Sequence, residues 1–223
     1  MTMRQIPLNL PVDSAQARED LLVSPANCRA VEFIDAWPDW PGTVAVLAGP
    51  VGSGKSHMAG IWAESADALT VPMDRLETIG DRIENIQNVV LEDADRGAIP
   101  ETALFHLINH LRATGGHCLI TSRLWPNTWQ VELPDLASRL RAAQLVELSE
   151  PDDDLLRQVI VKLFADRQIA IDPGVVDYLV TRMERSLDAA GRLVAEMDHE
   201  ALARGARLTR VVAATALKRL AMA

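Results

Sequence analysis

The sequence has no surplus of basic residues. Its 22 Lys and Arg stand against 31 Asp and Glu, for a net charge of −9 and a pI near 5.0. Such a balance lacks the electrostatic footprint that duplex DNA or an anionic bilayer selects, so direct sequence-specific DNA binding is not expected. Cysteine is scarce too. Cys28 and Cys118 have no partner at a recognisable spacing, which excludes a disulfide framework and a cysteine zinc site and fits two reduced thiols. No apolar run approaches the roughly 18 residues of a membrane span. The N-terminal "MTMRQIPLNLPVDSAQ" has no signal-peptide core. These absences lead us to expect a soluble, cytoplasmic protein with no membrane partner.

What is present is a large apolar fraction. With 48% hydrophobic residues in 223, the chain can build one large domain, or a domain and a small lobe, without covalent staples. Short aliphatic runs at 43–49, 68–73, 88–93, 117–122 and 143–148 do not alternate in polarity, as expected for strands covered on both faces. Helical segments fall between them: from Pro25 to about Trp37 with Ser24 as N-cap, from Lys55 onward, over 101–113 and over 135–142. The alternation predicts an α/β fold with a five-stranded parallel sheet flanked by helices. Beyond residue 150 no strand is expected. "SEPDDDLLRQ", "DPGVVDYLV", "SLDAAGRLVAEMDHEALARG" and "LTRVVAATALKRL" read as four capped helices of an all-helical lid. The expected organisation is a flexible polar tail over 1–20, an α/β nucleotide-binding domain over 21–149 and the lid over 150–223.

"GPVGSGKS" carries the clearest chemistry. Gly49, Gly54, Lys55 and Ser56 satisfy G-x-x-x-x-G-K-S/T, between a buried strand and a helix start. In that setting Gly49, Pro50, Gly52, Ser53 and Gly54 form a concave cradle for phosphates, lined by the backbone N–H groups of all but Pro50. Lys55 reaches the β- and γ-oxygens, and Ser56 can hold Mg²⁺. The expected ligand is ADP or ATP with Mg²⁺. Glu92 and Asp93 follow the aliphatic strand "NVVL", where one carboxylate would orient the metal, with Glu92 and Ser56 as its ligands, and the other a water. At the end of the next strand, Thr121 and Ser122 stand where a side chain could sense a γ-phosphate. His106 and His110 are spaced i, i+4, but no third ligand accompanies them, so no metal site is expected there. The tryptophans suit packing better than base stacking in so acidic a chain.

"SPANCRAVEFIDAWPDW", "GPVGSGKS", "VVLEDAD", "LITSR" and "LPDLASRLRAAQLVEL" together resemble the AAA+ domain of DnaA-related proteins, and more closely the Hda type, the regulatory inactivators of DnaA. The resemblance runs along the whole chain and implies an AAA+ module with nucleotide at the junction of domain and lid. It further implies that Arg139, in "LPDLASRL", is an arginine finger offered to the ATP of a neighbouring DnaA AAA+ domain. Gln5, Leu8, Leu10 and Pro11 in "QIPLNLP" resemble the peptide that docks on the replicative sliding clamp. The resemblance implies that DnaA would continue into a DNA-binding domain at the point where this sequence stops, and on that ground a regulator is expected here and not an initiator. Two positions depart from the family pattern. Asp188 stands where a lid arginine is expected, with Arg185 and Arg192 nearby as substitutes, and "SPAN" lacks the usual adenine-side glycine. The implied function is negative regulation of replication initiation with little or no ATPase activity of its own. A stand-alone ATPase that loads or remodels and a non-catalytic clamp–DnaA adaptor are the alternatives, and a homo-oligomer is a further partner to expect.

Overall fold

The computed structural model describes residues 18–204 and 207–222. The clamp-like residues Gln5, Leu8, Leu10 and Pro11, and the glycine expected to close the third lid helix, lie outside them. The described residues divide into two compact units. One is Asn27–Ser149 with residues 18–21; the other runs from Glu150 and includes Leu22–Ala26.

The first unit alternates α1 (Cys28–Asp35), β1 (Val44–Ala48), α2 (Lys55–Ala66), β2 (Leu69–Pro72), β3 (Asn88–Glu92), α3 (Glu101–Thr114), β4 (His117–Ser122), α4 (Pro134–Arg141) and β5 (Gln144–Glu147). All strands are parallel, in the order β2-β3-β4-β1-β5. Consecutive residues of a strand point to opposite faces. Val44, Val46, Val89, Leu91, Cys118 and Ile120 join one core with α3 and α4, whereas Ala45, Leu47, Val90, Leu119 and Val146 join the other with α1 and α2. Both faces are dry, and this is why the strands read as continuous aliphatic runs.

In the α1–α2 core, Trp40 stacks on Trp62 at 4.9 Å and on Phe33 at 4.6 Å. Its Nε1 donates to the Phe33 carbonyl at 2.8 Å. The tryptophans on this side are packing residues.

Several local expectations need correction. The first helix starts at Cys28 with Asn27 as N-cap, not at Pro25. Ser24 instead accepts the Ala26 N–H at 3.1 Å, a local serine turn that satisfies the backbone without a helix. Residues 18–20, placed in the flexible tail, form a 3₁₀ turn in which Arg18 grips Asp35 with two bonds of 2.7 and 2.5 Å. Met73–Asn85, for which no element is expected from the sequence, forms two short 3₁₀ pieces broken at Gly80 (φ 51°, ψ −134°). Met73, Leu76 and Ile79 of that segment enter the core, and its irregular period hides it from a search for regular helix.

The second unit holds α5 (Asp153–Asp166), α6 (Pro173–Val180), α7 (Leu187–Arg204) and α8 (Arg210–Leu220) around its own core, in which Leu156, Phe164, Leu179, Leu193 and Met197 are buried. Asp152 caps α5, its carboxylate accepting the Leu155 N–H at 2.7 Å. Asp172 caps α6 through the Gly174 N–H at 2.8 Å. Among the described residues no helix is long and apolar enough to cross a membrane.

Gly116, between α3 and β4, has no room for a side chain: a Cβ there would sit 2.0 Å from the Gln87 carbonyl oxygen. That oxygen accepts the His117 N–H at 3.2 Å, so it is fixed. Gly116→Ala is expected to lower stability by more than about 2 kcal/mol, read as a fall in the urea midpoint.

Candidate nucleotide site

The loop between β1 and α2 is built around three glycines. Gly52 (φ 72°) and Gly54 (φ 97°) occupy left-handed backbone that L side chains rarely adopt. At Gly49 a Cβ would lie 2.4 Å from the Leu148 carbonyl oxygen. The loop delivers the start of α2, whose N-cap Gly54 offers no side-chain cap. In any α-helix the first-turn N–H groups have no intrahelical acceptor, so a helix start of this kind suits an anion.

Lys55 is buried, and its Nζ donates to the carbonyls of Gly49 at 2.8 Å and Pro50 at 2.7 Å. Its ammonium thus lies inside the loop's own curve. Ser53 is buried with an Oγ that finds no hydrogen-bond partner. An orphaned Ser53 hydroxyl, a helix start without a side-chain cap and a lysine folded into the same loop fit a phosphate chain. Ser56, the residue that would take Mg²⁺, is exposed.

β4, the neighbour of β1, ends beside this loop, and β3 ends next to β4. The Gly49 N–H donates to the Ser122 carbonyl at 3.2 Å, tying β1 to β4. Thr121 and Ser122 are buried. The Thr121 hydroxyl accepts the Asp93 N–H at 3.0 Å, and its carbonyl accepts the Ala94 N–H at 3.0 Å. These two bonds hold the turn after β3, where Asp93 has a left-handed φ of 59°. Asp93 pairs with Arg96 at 3.1 Å. Glu92, the last residue of β3, is half-buried. Glu92, Asp93, Thr121 and Ser122 therefore come together at adjacent strand ends.

Asp95 went unnoticed in the sequence. Its side chain is 3% exposed and accepts from the Ser122 hydroxyl at 3.2 Å, the Arg123 N–H at 2.9 Å and the Arg123 guanidinium at 2.5 Å. Burial alone would raise its pKa, but the Arg123 and Ser122 donors together hold it below the ordinary carboxylate value. A carboxylate lowered on folding adds stability above its unfolded pKa and loses it as pH falls through the folded value. Asp95→Ala is expected to cost about 2–3 kcal/mol at pH 7, with the deficit shrinking on acidification below about pH 4. Urea unfolding at the two pH values checks it.

Arg139 sits in the last turn of α4, between the buried Leu136 and Leu140 that anchor the helix. Glu101 sets the entry to that helix, its two carboxylate oxygens accepting the N–H groups of Glu132 at 2.9 Å and Leu133 at 2.7 Å. The guanidinium of Arg139 lies over the Phe105 ring, 4.8 Å from its centroid, and Nη1 is buried without a hydrogen-bond partner. Neither Glu101 nor Phe105 was signalled by the sequence, because both act across a gap of some thirty residues. In the helical unit, Arg185 donates to Asp153 at 2.6 Å and to the Pro151 carbonyl at 3.0 Å. Arg192 lies 3.8 Å from Glu184, and Asp188 is exposed in the first turn of α7. His110 bonds the Ile86 carbonyl at 3.0 Å. Among the described residues no cluster of three or more His, Cys, Asp or Glu could hold a metal ion.

With this geometry in hand, comparison with solved structures is decisive for the fold. Domain III of the replication initiation protein DnaA from Thermotoga maritima superposes with a TM-score of 0.79 at 16% identity, covering 94% of this chain and 98% of that one. The chain has the AAA+ fold. AMPPCP-bound DnaA from Aquifex aeolicus gives 0.69 at 19% identity, over 84% of this chain and 67% of that one. The Thermotoga maritima RuvB Holliday junction branch migration motor gives 0.62 at 17% identity, over 80% and 62%. In sequence, an uncharacterized protein of Haemophilus influenzae is 27% identical over an alignment of 152 positions that covers 62% of this chain and 66% of that relative. The match thus spans just under two thirds of the relative's length. No family model matches.

Proposed function

We propose that this AAA+ chain carries an adenine nucleotide as a structural ligand and acts as a regulator of the DnaA AAA+ domain, offering Arg139 to the partner's ATP. The loop Gly49–Ser56 supports the nucleotide part: left-handed glycines, an uncapped helix start, Lys55 on its own loop carbonyls and the orphaned Ser53 hydroxyl all suit a phosphate chain. Ser56 and Glu92 would hold Mg²⁺, which supplies charge neutralisation between phosphate oxygens.

The chain's own residues favour holding the nucleotide over hydrolysing it. Asp93, the candidate to orient a water, shares its carboxylate with Arg96. The lid offers Asp188 where the family resemblance expects an arginine, and Arg185 is already engaged by Asp153 and the Pro151 carbonyl. ADP is therefore the resting ligand in this reading. Docking of Gln5, Leu8, Leu10 and Pro11 on the sliding clamp would concentrate the regulator near DNA, as extended peptide tails do on preformed grooves.

The test is release of labelled γ-phosphate from DnaA preloaded with ATP, with this protein and DNA-loaded clamp added singly and together. Acceleration only when both are present is the expected result. An absence of acceleration, alongside clean ADP binding, would reject the DnaA reading and leave a nucleotide-binding AAA+ module with another partner.

A further inference from the structure

The setting of Arg139 is unusual for a surface arginine. A solvated guanidinium spreads five N–H donors into water. Here the group lies on the Phe105 ring at 4.8 Å while Nη1 is buried and unpartnered. The ring face attracts the cation, yet the pose leaves a donor unmet, which is unfavourable away from water. Phe105 itself is not part of the inward stripe of α3, which is Leu104, Leu107, Ile108 and Leu111. It is half-buried at the edge of the core, where its ring serves Arg139 as a platform.

We infer that Phe105 is a positioning residue for Arg139, fixing the plane of the guanidinium and leaving one donor unmet for an anionic oxygen of the partner's triphosphate to complete. The inference rests on the finger role proposed above. A flat ring lets the guanidinium slide outward while it stays stacked, so the fork keeps its plane as Nη1 meets the oxygen. Without the ring, the long side chain samples its full rotamer set and must be ordered at the moment of engagement.

Three full-length variants test this. Phe105→Leu removes the ring and keeps an apolar side chain, Phe105→Tyr keeps the ring, and Arg139→Ala removes the guanidinium. The partner-free readout is the NMR shift of the Arg139 side-chain protons, assigned by their loss in Arg139→Ala. They should lie upfield of free arginine in the wild type and in Phe105→Tyr, and revert in Phe105→Leu. In the DnaA γ-phosphate assay, Phe105→Leu should lower the maximal rate about fivefold at an unchanged half-saturating concentration, and Phe105→Tyr should stay within about twofold of wild type.

Unshifted Arg139 protons in the wild type overturn the inference whether or not Phe105→Leu folds. So does a Phe105→Leu protein that keeps its maximal rate, or that changes only the half-saturating concentration, as a plain interface contact would. If Arg139→Ala abolishes stimulation while Phe105→Leu does not, the platform fails and the finger stands. If Arg139→Ala stimulates like wild type, the finger role fails, and the part of Phe105 in the reaction goes with it.

Discussion

Replacing Lys55 with methionine should weaken ADP binding by about two orders of magnitude. Lys55 is the cation of the loop, and in this structure its Nζ bonds the Gly49 and Pro50 carbonyls at 2.8 and 2.7 Å. A phosphate chain in the loop would draw on that ammonium for charge-assisted hydrogen bonds, each worth about 1.5–3 kcal/mol. Losing about 3 kcal/mol corresponds to roughly 150-fold in affinity. Methionine keeps the length of the side chain and suits the buried site, so the change falls mainly on charge. Calorimetric titration gives the affinity directly. A thermal scan gives a second reading, because ligand at 100 times its Kd stabilises the folded state by about 2.7 kcal/mol. For a chain of this size that is roughly a 5–10 °C rise in Tm, expected in the wild type and absent in Lys55→Met at the same ADP concentration. Wild-type affinity in the variant would remove the loop from the nucleotide site altogether.

Arg139→Ala has the larger expected effect, on a different observable. An arginine inserted at a transferring phosphoryl group stabilises charge that develops only in the transition state, and its loss typically costs about 10³-fold or more in rate. The variant should therefore bind ADP like the wild type, since Arg139 belongs to α4 and not to the Gly49–Ser56 loop. Its stimulation of DnaA-bound ATP hydrolysis should fall to background. Stability should change little, because the guanidinium stacks on the Phe105 ring but leaves its buried Nη1 donor unmet, and the two effects offset. Arg139→Lys is expected to recover only a fraction, because an ammonium cannot present the planar fork. A fully active Arg139→Ala protein would mean that the chain tethers its partner without touching the chemistry.

These two variants also separate the rival activities. A stand-alone ATPase should lose turnover in Lys55→Met and keep it in Arg139→Ala. A pure adaptor should tolerate Arg139→Ala and depend on the N-terminal peptide.

The five strands were found within a residue or so at each end, for instance 43–49 against Val44–Ala48 and 117–122 against His117–Ser122. Aliphatic runs bounded by Gly, Pro and Asp leave few other readings, and strands buried on both faces must be apolar throughout. The glycine loop was equally plain, because its chemistry depends on backbone positions next to one another in the chain. The helix starts were less secure. Ser24 and Pro25 look like a cap and a first turn, but the hydroxyl closes a local turn and the helix waits until Cys28.

What escaped notice was non-local. The strand order β2-β3-β4-β1-β5 is not written in the strands, because a period-free aliphatic run does not name its neighbour. Asp95 looked like one more loop acid until folding brought Ser122 and Arg123 against it. Glu101 looked like an ordinary first-turn acid until it met the N–H groups of Glu132 and Leu133.

By itself, then, the sequence determined which segments are strands and helices, and that a phosphate-shaped loop joins the first strand to its helix. Both follow from contacts between residues a few positions apart. Only the tertiary structure decided the order of the sheet, the clamp of Glu101 on the entry to α4 and the seat of Arg139 on Phe105. Each of these joins side chains or backbone groups tens of residues apart, and the choice among such pairings is made by the packing of the whole core.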